Sequence, residues 1–129
     1  MERKYQVLVY GATGFTGRLC AKYLKENYPD LSWAIGGRNK NKLEQLKNEM
    51  NLTCDILIAD AENYEDLSNM VKETKVLITT AGPYAKYGSL LLKACIFEKT
   101  HYTDITGENH WVKKQMDLYN EEAISKGVR

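Results

Sequence analysis

Short apolar runs alternate with segments of helical spacing along the whole chain. The runs fall at about Tyr5–Tyr10, Ser32–Gly36, Cys54–Ala59, Val76–Thr80 and Tyr102–Ile105. They are nearly continuous rather than alternating, the pattern of parallel strands covered on both faces. Between them, helical spacing groups Leu19, Tyr23 and Leu24, then Leu43, Leu46 and Met50, then Tyr64, Leu67 and Val71. Leu91, Cys95 and Glu98 follow less cleanly, and Val112, Met116, Tyr119 and Ala123 mark a last helix. Asn39, Asn63 and Ser89 stand where N-caps belong, and Asn63 with Asp66 approximates a capping pair. Strands each followed by a helix predict an α/β fold, a doubly wound parallel sheet of Rossmann type. The right-handed crossover rule gives the strand order 3-2-1-4-5. Residues 1–129 read as one domain, and Ser125 to Arg129 read as a helix C-cap followed by the first step of a sixth strand. The sheet is therefore expected to be truncated before that strand.

The first strand runs straight into three evenly spaced glycines, Val7-Leu8-Val9-Tyr10-Gly11-Ala12-Thr13-Gly14-Phe15-Thr16-Gly17. A strand, a glycine turn and a helix start present bare backbone amides to a phosphate. The first glycine allows the tight turn, the second lets the backbone approach a pyrophosphate, and the third lets the helix pack on the strand. The helix adds its unsatisfied amides and the positive end of its dipole. Gly11, Thr13, Gly14, Phe15, Thr16 and Gly17 are thus the expected dinucleotide loop. A glycine-rich turn without a ligand is the alternative. Gly11–Gly17 and Ala81–Tyr87 both map to the crevice at the carboxyl ends of the first and fourth strands.

The end of the second strand decides between the two nicotinamide dinucleotides. An acid there bonds the ribose 2′-hydroxyl, whereas an arginine accommodates a 2′-phosphate. The chain reads Trp33-Ala34-Ile35-Gly36-Gly37-Arg38-Asn39-Lys40-Asn41-Lys42, with no acid. Arg38 lies about twenty residues past Gly17, where the discriminating side chain belongs. Cations at a helix start oppose the macrodipole, so Arg38 and Lys40 make more sense facing a dianion than facing water. A planar guanidinium also stacks on adenine. NADP(H) is therefore expected over NAD(H). Asp60, ending the third strand, reads either as a partner for the adenine amine or as a turn acid.

Composition narrows the class. The chain has 129 residues, 43% hydrophobic and 27% charged, with a net charge of +1, as in a water-soluble globular domain. Such a balance offers no basic surface for nucleic acid. No apolar run approaches the ~18–20 residues of a membrane span, and the N-terminal run is too short for a signal peptide. A cytoplasmic location is expected. Cys20, Cys54 and Cys95 are scattered among apolar neighbours and read as buried reduced thiols. His101 and His110 have no companion at ligand spacing, so no metal site is expected.

Several linked motifs together carry a family resemblance. Tyr10 to Gly17, Trp33 to Arg38, Gly82-Pro83-Tyr84 with Tyr87-Gly88, Ala94-Cys95 and Tyr102 to Glu108 follow in order along nearly the whole chain. This array resembles the saccharopine-dehydrogenase-like oxidoreductases, which include the trans-acting enoyl reductases of polyketide-lipid synthesis. The resemblance implies an NADP-binding portion in which Gly82, Pro83 and Tyr84 line the nicotinamide side, with Gly107 and Glu108 beyond. Family members are longer and add a substrate domain that this chain lacks. Catalysis is less legible. None of the nine tyrosines has a lysine four residues later, so the tyrosine–lysine pair of short-chain reductases is missing. Tyr84, Tyr87, Asp104 and Glu108 are the candidate proton carriers, and the catalytic residues stay open. The leading expectation is an NADP(H)-binding module of an oxidoreductase, truncated or half of a split enzyme. Its partners would be the dinucleotide and a separately encoded substrate domain or a second copy. The other reading is a non-catalytic NADP(H) sensor.

Overall fold

A computed structural model describes residues 2–129. Strands β1 (Tyr5–Tyr10), β2 (Trp33–Gly37), β3 (Asp55–Ile58), β4 (Thr74–Thr79) and β5 (His101–Asp104) alternate with helices. The helices are α1 (Phe15–Asn27), α2 (Lys40–Glu49), α3 (Tyr64–Val71), α4 (Tyr84–Tyr87), α5 (Ser89–Phe97) and α6 (Asn109–Lys126). All four strand pairs are parallel, and the order is β3-β2-β1-β4-β5. The expected order and the doubly wound α/β class are both found.

Strand alternation sends β1 side chains to two cores, one on each face of the sheet. Leu8 and Tyr10 join Ala34, Leu77, Leu67, Met70, Leu91 and Cys95 under α3 and α5. Val9 joins Ile35, Ala21, Leu24, Leu43 and Leu46 under α1 and α2. Leu8, Ile35, Leu43, Leu46, Leu67, Leu77 and Leu91 are fully buried, each contributing roughly 1.5–3 kcal/mol by leaving water. Arg3 secures the end of the sheet opposite the glycine turn. Its guanidinium donates to the carbonyls of Val71 (3.3 Å), Lys72 and Glu98 (2.6 Å). It thereby places a cation on carbonyls at the ends of α3 and α5, where the helix dipoles favour one.

Several local expectations are corrected. Leu19 and Tyr23 were grouped with Leu24 as a core face, but only Leu24 is buried, alongside Gly17 and Ala21. The last helix buries Trp111 and Gln115, whereas Met116 is exposed. Asn39 and Asn63 do cap their helices, accepting from Lys42 N at 3.1 Å and Asp66 N at 3.0 Å. Ser89 does not cap α5. It is the first residue of that helix, Gly88 precedes it as the cap, and the Ser89 hydroxyl accepts from Trp111 Nε1 at 2.9 Å. Tyr87 is the last residue of the short α4. Cys54 and Cys95 are buried, but Cys20 is only half-buried. Burial pushes the Cys54 thiol up to about 11 and raises that of Cys95 as well. At the chain's end Gly127, with φ of 68°, closes α6, and the Arg129 carbonyl accepts from Tyr102 N at 2.7 Å on the outer edge of β5.

Candidate functional site

The glycine turn sits at the carboxyl edge of the sheet, where β1 and β4 lead their loops apart. Gly11 has φ of +79°, a left-handed conformation that an L side chain adopts only with strain. Its amide donates to Gly36 O at 2.9 Å, and Thr80 Oγ1 donates to Gly11 O at 3.2 Å, so β2 and β4 both hold the turn. Gly14 is the N-cap of α1, with φ of −74° and ψ of 171°. No side chain caps this helix and no acid stands in its first turn. Both α2 and α3 carry asparagine caps. The first amides of α1 are thus left to an outside acceptor, which is the usual anion-binding arrangement when it faces a cleft.

That cleft has a volume of about 420 Å3. Its walls are lined by Tyr10, Gly11 and Thr13 from the β1 end, Arg38, Asn39 and Lys42 after β2, Asp60 and Glu62 after β3, and Gly82, Lys86 and Tyr87 after β4. Its three cations, Arg38, Lys42 and Lys86, are in none of the ion pairs among the described residues. Lys86 Nζ lies 5.1 Å from the centre of the Tyr87 ring. Beneath the wall, the Tyr10 hydroxyl donates to Ala59 O at 2.9 Å. Burial pushes its pKa up to about 12; the nearby Asp60 carboxylate adds to the rise and Arg38 opposes it. Asp60 also builds the local turn, with Oδ1 accepting from Glu62 N at 2.8 Å.

Of the expected binding residues, the structure brings Gly11, Thr13, Arg38, Asp60 and Gly82 to this one cleft. Gly14, Phe15, Thr16 and Gly17 form the uncapped start of α1 beside it. Pro83 precedes α4 at the rim, exposed. Tyr84 turns away from the cleft. It is buried, its hydroxyl donates to Thr79 O at 2.9 Å, and its ring lies 5.7 Å from that of Trp111. Burial raises its pKa. The sequence reading missed Lys42 and Lys86 as cleft residues. Lys42, four positions after Arg38, was the more legible of the two.

The other candidate proton carriers are already engaged. Glu108 Oε2 and Oε1 accept from the amides of Tyr84 at 2.6 Å and Ala85 at 3.1 Å. The residue thus caps α4 across the chain and leaves its own helix without a side-chain cap. Asp104 accepts from the Tyr102 hydroxyl at 2.6 Å and from Thr106 N at 3.1 Å. Burial, with Asp104 adding, raises the Tyr102 pKa strongly. Only Tyr87 among the four lines the cleft.

Residues 7–129 match the family described as the saccharopine dehydrogenase NADP binding domain. The chain is similar to a trans-acting enoyl reductase of Mycobacterium ulcerans, at 34% identity over 131 residues, covering 99% of this chain and 31% of the relative. It is 35% identical over 134 residues to a lipid droplet localized protein of Caenorhabditis elegans, covering 97% of this chain and 32% of that protein. The fold superposes on the apo, histidine-tagged saccharopine dehydrogenase (L-Glu forming) of Saccharomyces cerevisiae. The TM-score is 0.66 at 20% identity, covering 80% of this chain and 22% of that one. The chain therefore spans about a third of the length of the curated relatives it matches. Among the described residues no helix is long and apolar enough to cross a membrane.

Proposed function

The chain belongs to the saccharopine dehydrogenase NADP-binding domain family, and from that premise we propose that the 420 Å3 cleft is the seat of the dinucleotide. In this reading the uncapped start of α1 takes the pyrophosphate, with Gly14 giving close approach. Thr13, Phe15 and Thr16 flank the phosphates, and Gly17 holds the helix to the strand. Arg38 pairs with the 2′-phosphate, and Asp60 and Tyr10 bound the adenosine side. Gly82 lines the nicotinamide side, with Pro83 at the rim and Tyr84 supporting the loop from within. The observation that carries this is the uncapped α1 opening beside a cleft whose three cations join none of the ion pairs among the described residues.

Bound NADP(H) would supply the hydride chemistry, while this chain's residues hold and orient it. Substrate chemistry in this proposal depends on a further domain, in the same polypeptide or in a second one. A cytoplasmic location belongs to the same reading and is tested by cell fractionation. The lipid-droplet relative is the reason to include a lipid fraction. The decisive measurement is parallel titration with NADPH and NADH. NADPH should bind more tightly, and Arg38→Ala should remove most of the preference. One charge-assisted contact is worth roughly 1.5–3 kcal/mol, or about ten- to a hundredfold. Equal affinity of the unmutated chain for both cofactors would overturn the role of Arg38.

A further inference from the structure

The short turn α4 is held from behind, and the side it turns to the cleft carries a cation. Tyr84 and Gly88 stand one turn apart and are both buried. A Cβ at Gly88 would lie 2.9 Å from Trp111 Cζ2, so this side of the turn is pressed on α6. The Glu108 carboxylate fixes the start of the turn by accepting from the amides of Tyr84 and Ala85. Lys86, two residues past Tyr84, is rotated about 200° from it. It is exposed and lines the cleft. The backbone of α4 is thus set, while the four-carbon stem of Lys86 stays flexible.

The loop that leads into α4 also lies against the glycine turn. A Cβ at Gly11 would lie 3.0 Å from Ala81 N and 3.2 Å from Thr80 Oγ1. In the strand order β2-β1-β4, the turn after β1 has Arg38 on its β2 side and Lys86 on its β4 side. Lys42, in the first turn of α2, belongs to the β2 side as well. Arg18, in the opening turns of α1, is already paired with Glu49 at 2.7 Å. Lys86 joins no ion pair among the described residues. Its ammonium rests 5.1 Å from the centre of the Tyr87 ring, a weak hold at an exposed site. A pyrophosphate carries a full negative charge on each phosphate, whereas a helix start supplies the equivalent of about half a positive charge. The start of α1 by itself leaves most of that charge unanswered.

We propose that Lys86 swings off the Tyr87 ring and pairs with the pyrophosphate of the bound dinucleotide, holding it against the uncapped start of α1. The inference rests on the cofactor reading above. The two cations then divide the work. Arg38 answers the 2′-phosphate and so chooses the cofactor. Lys86 sets the affinity for any ligand with an adenosine pyrophosphate, NADPH, NADH and ADP-ribose alike.

The test is calorimetric titration of the unmutated chain and of Lys86→Met, Lys86→Arg and Arg38→Ala with NADPH, ADP-ribose and 2′-AMP. ADP-ribose has the pyrophosphate without the 2′-phosphate, and 2′-AMP has the reverse. Lys86→Met keeps the apolar stem and should lower affinity for NADPH and ADP-ribose by the same factor, about tenfold, with 2′-AMP unchanged. Lys86→Arg should restore most of the loss. Arg38→Ala should weaken 2′-AMP and NADPH and spare ADP-ribose. Phosphorus NMR of bound NADP+ gives a second readout, in which Lys86→Met moves the pyrophosphate resonances and leaves the 2′-phosphate resonance in place. Unchanged ADP-ribose affinity in Lys86→Met overturns the proposal. A loss shared equally by 2′-AMP also overturns it, whether through a contact to the 2′-phosphate or through a lowered Tm. Absence of NADPH binding by the unmutated chain sinks the cofactor reading itself, so the two failures are told apart.

Discussion

Gly14 and Gly17 lie one helical turn apart, yet the structure gives them opposite reasons for lacking a side chain. A Cβ at Gly17 would lie 2.1 Å from Gly11 O, 2.7 Å from Ala12 Cα and 2.8 Å from Gly11 C. All three are backbone atoms of the turn, so nothing flexible can yield and α1 would have to move off β1. Overpacking of this kind costs about 3 kcal/mol or more, roughly 10 °C or more in Tm for a domain of this size. A Cβ at Gly14 would meet only Gly11 O at 3.5 Å, an ordinary contact, and the backbone there is extended with φ of −74°. The protein itself thus places no steric demand on Gly14. Replacing it with alanine loses a few tenths to about 1 kcal/mol of cap preference. The smaller entropy of the unfolded chain returns about 0.4–1 kcal/mol, so the net change is near zero. If a pyrophosphate approaches here, Gly14→Val should cost at least one amide–phosphate bond of about 1.5–3 kcal/mol. That lowers NADPH affinity about tenfold to a hundredfold. The assay pairs thermal unfolding without ligand and NADPH fluorescence titration on Gly14→Ala, Gly14→Val and Gly17→Ala. Gly17→Ala should fail the first assay and Gly14→Val only the second. Unchanged NADPH affinity in Gly14→Val, or Gly14→Ala as unstable as Gly17→Ala, would refute the reasoning.

The other predictions concern groups that fix the frame. Arg3→Ala leaves carbonyls near the ends of α3 and α5 without their shared cation and should cost about 1.5–3 kcal/mol in urea unfolding, with NADPH affinity unchanged. Glu108→Ala removes the acceptor for the Tyr84 and Ala85 amides, costing about 1–2 kcal/mol; faster hydrogen exchange at those two amides is the direct check, and unchanged exchange would exclude the capping role. The folded pKa of Tyr10 is raised to about 12 from 10.0, so its contribution is complete below pH 10 and is lost as pH rises toward 12. Cys54, raised to about 11 from 9.0, acts in the same direction from a lower starting pH. Tyr10→Phe should therefore lower stability by about 1 kcal/mol at neutral pH, through its lost hydrogen bond, yet flatten the decline between pH 10 and 12 in a Tm series.

Strand order and glycine turn were legible because local chemistry dictates them. Short apolar runs alternating with helical segments read as parallel strands, and a residue with φ of +79° that also has Ala81 N at 3.0 Å from a built Cβ has to be glycine. The face of α1 was not legible from apolar spacing, because Leu19 and Tyr23 are as apolar as anything the helix buries. Close approach sets the rotation of that helix instead. Gly17 lies against the turn, and Ala21 and Leu24 follow at i+4 and i+7, so this row faces the sheet while Leu19 and Tyr23 turn outward. The small-residue row was the signal to read. The orientation of Tyr84 was not legible for a related reason. A motif gives sequence neighbours of the cleft, but the carbonyl of Thr79 and the ring of Trp111 decide which way that ring turns.

In the proposed cofactor cleft, holding a dinucleotide and using one are separate demands. A general acid or base needs a proton within reach of the reacting atom and freedom to change its charge. Glu108 spends both carboxylate oxygens on backbone amides, so protonating it would weaken the cap that shapes α4. Asp104 accepts from a phenol and an amide, and Tyr84 donates to a buried carbonyl. Each is fixed because the loops around the cleft depend on it, and that same dependence withholds it from proton transfer. Tyr87 alone of the four candidates reaches the cleft, with the Lys86 ammonium 5.1 Å from its ring centre. An open cleft leaves water in competition for any proton exchanged there. The cations and free amides of this chain suit an anion that stays bound. Acid–base chemistry beside that anion would need another surface to close the cleft against water.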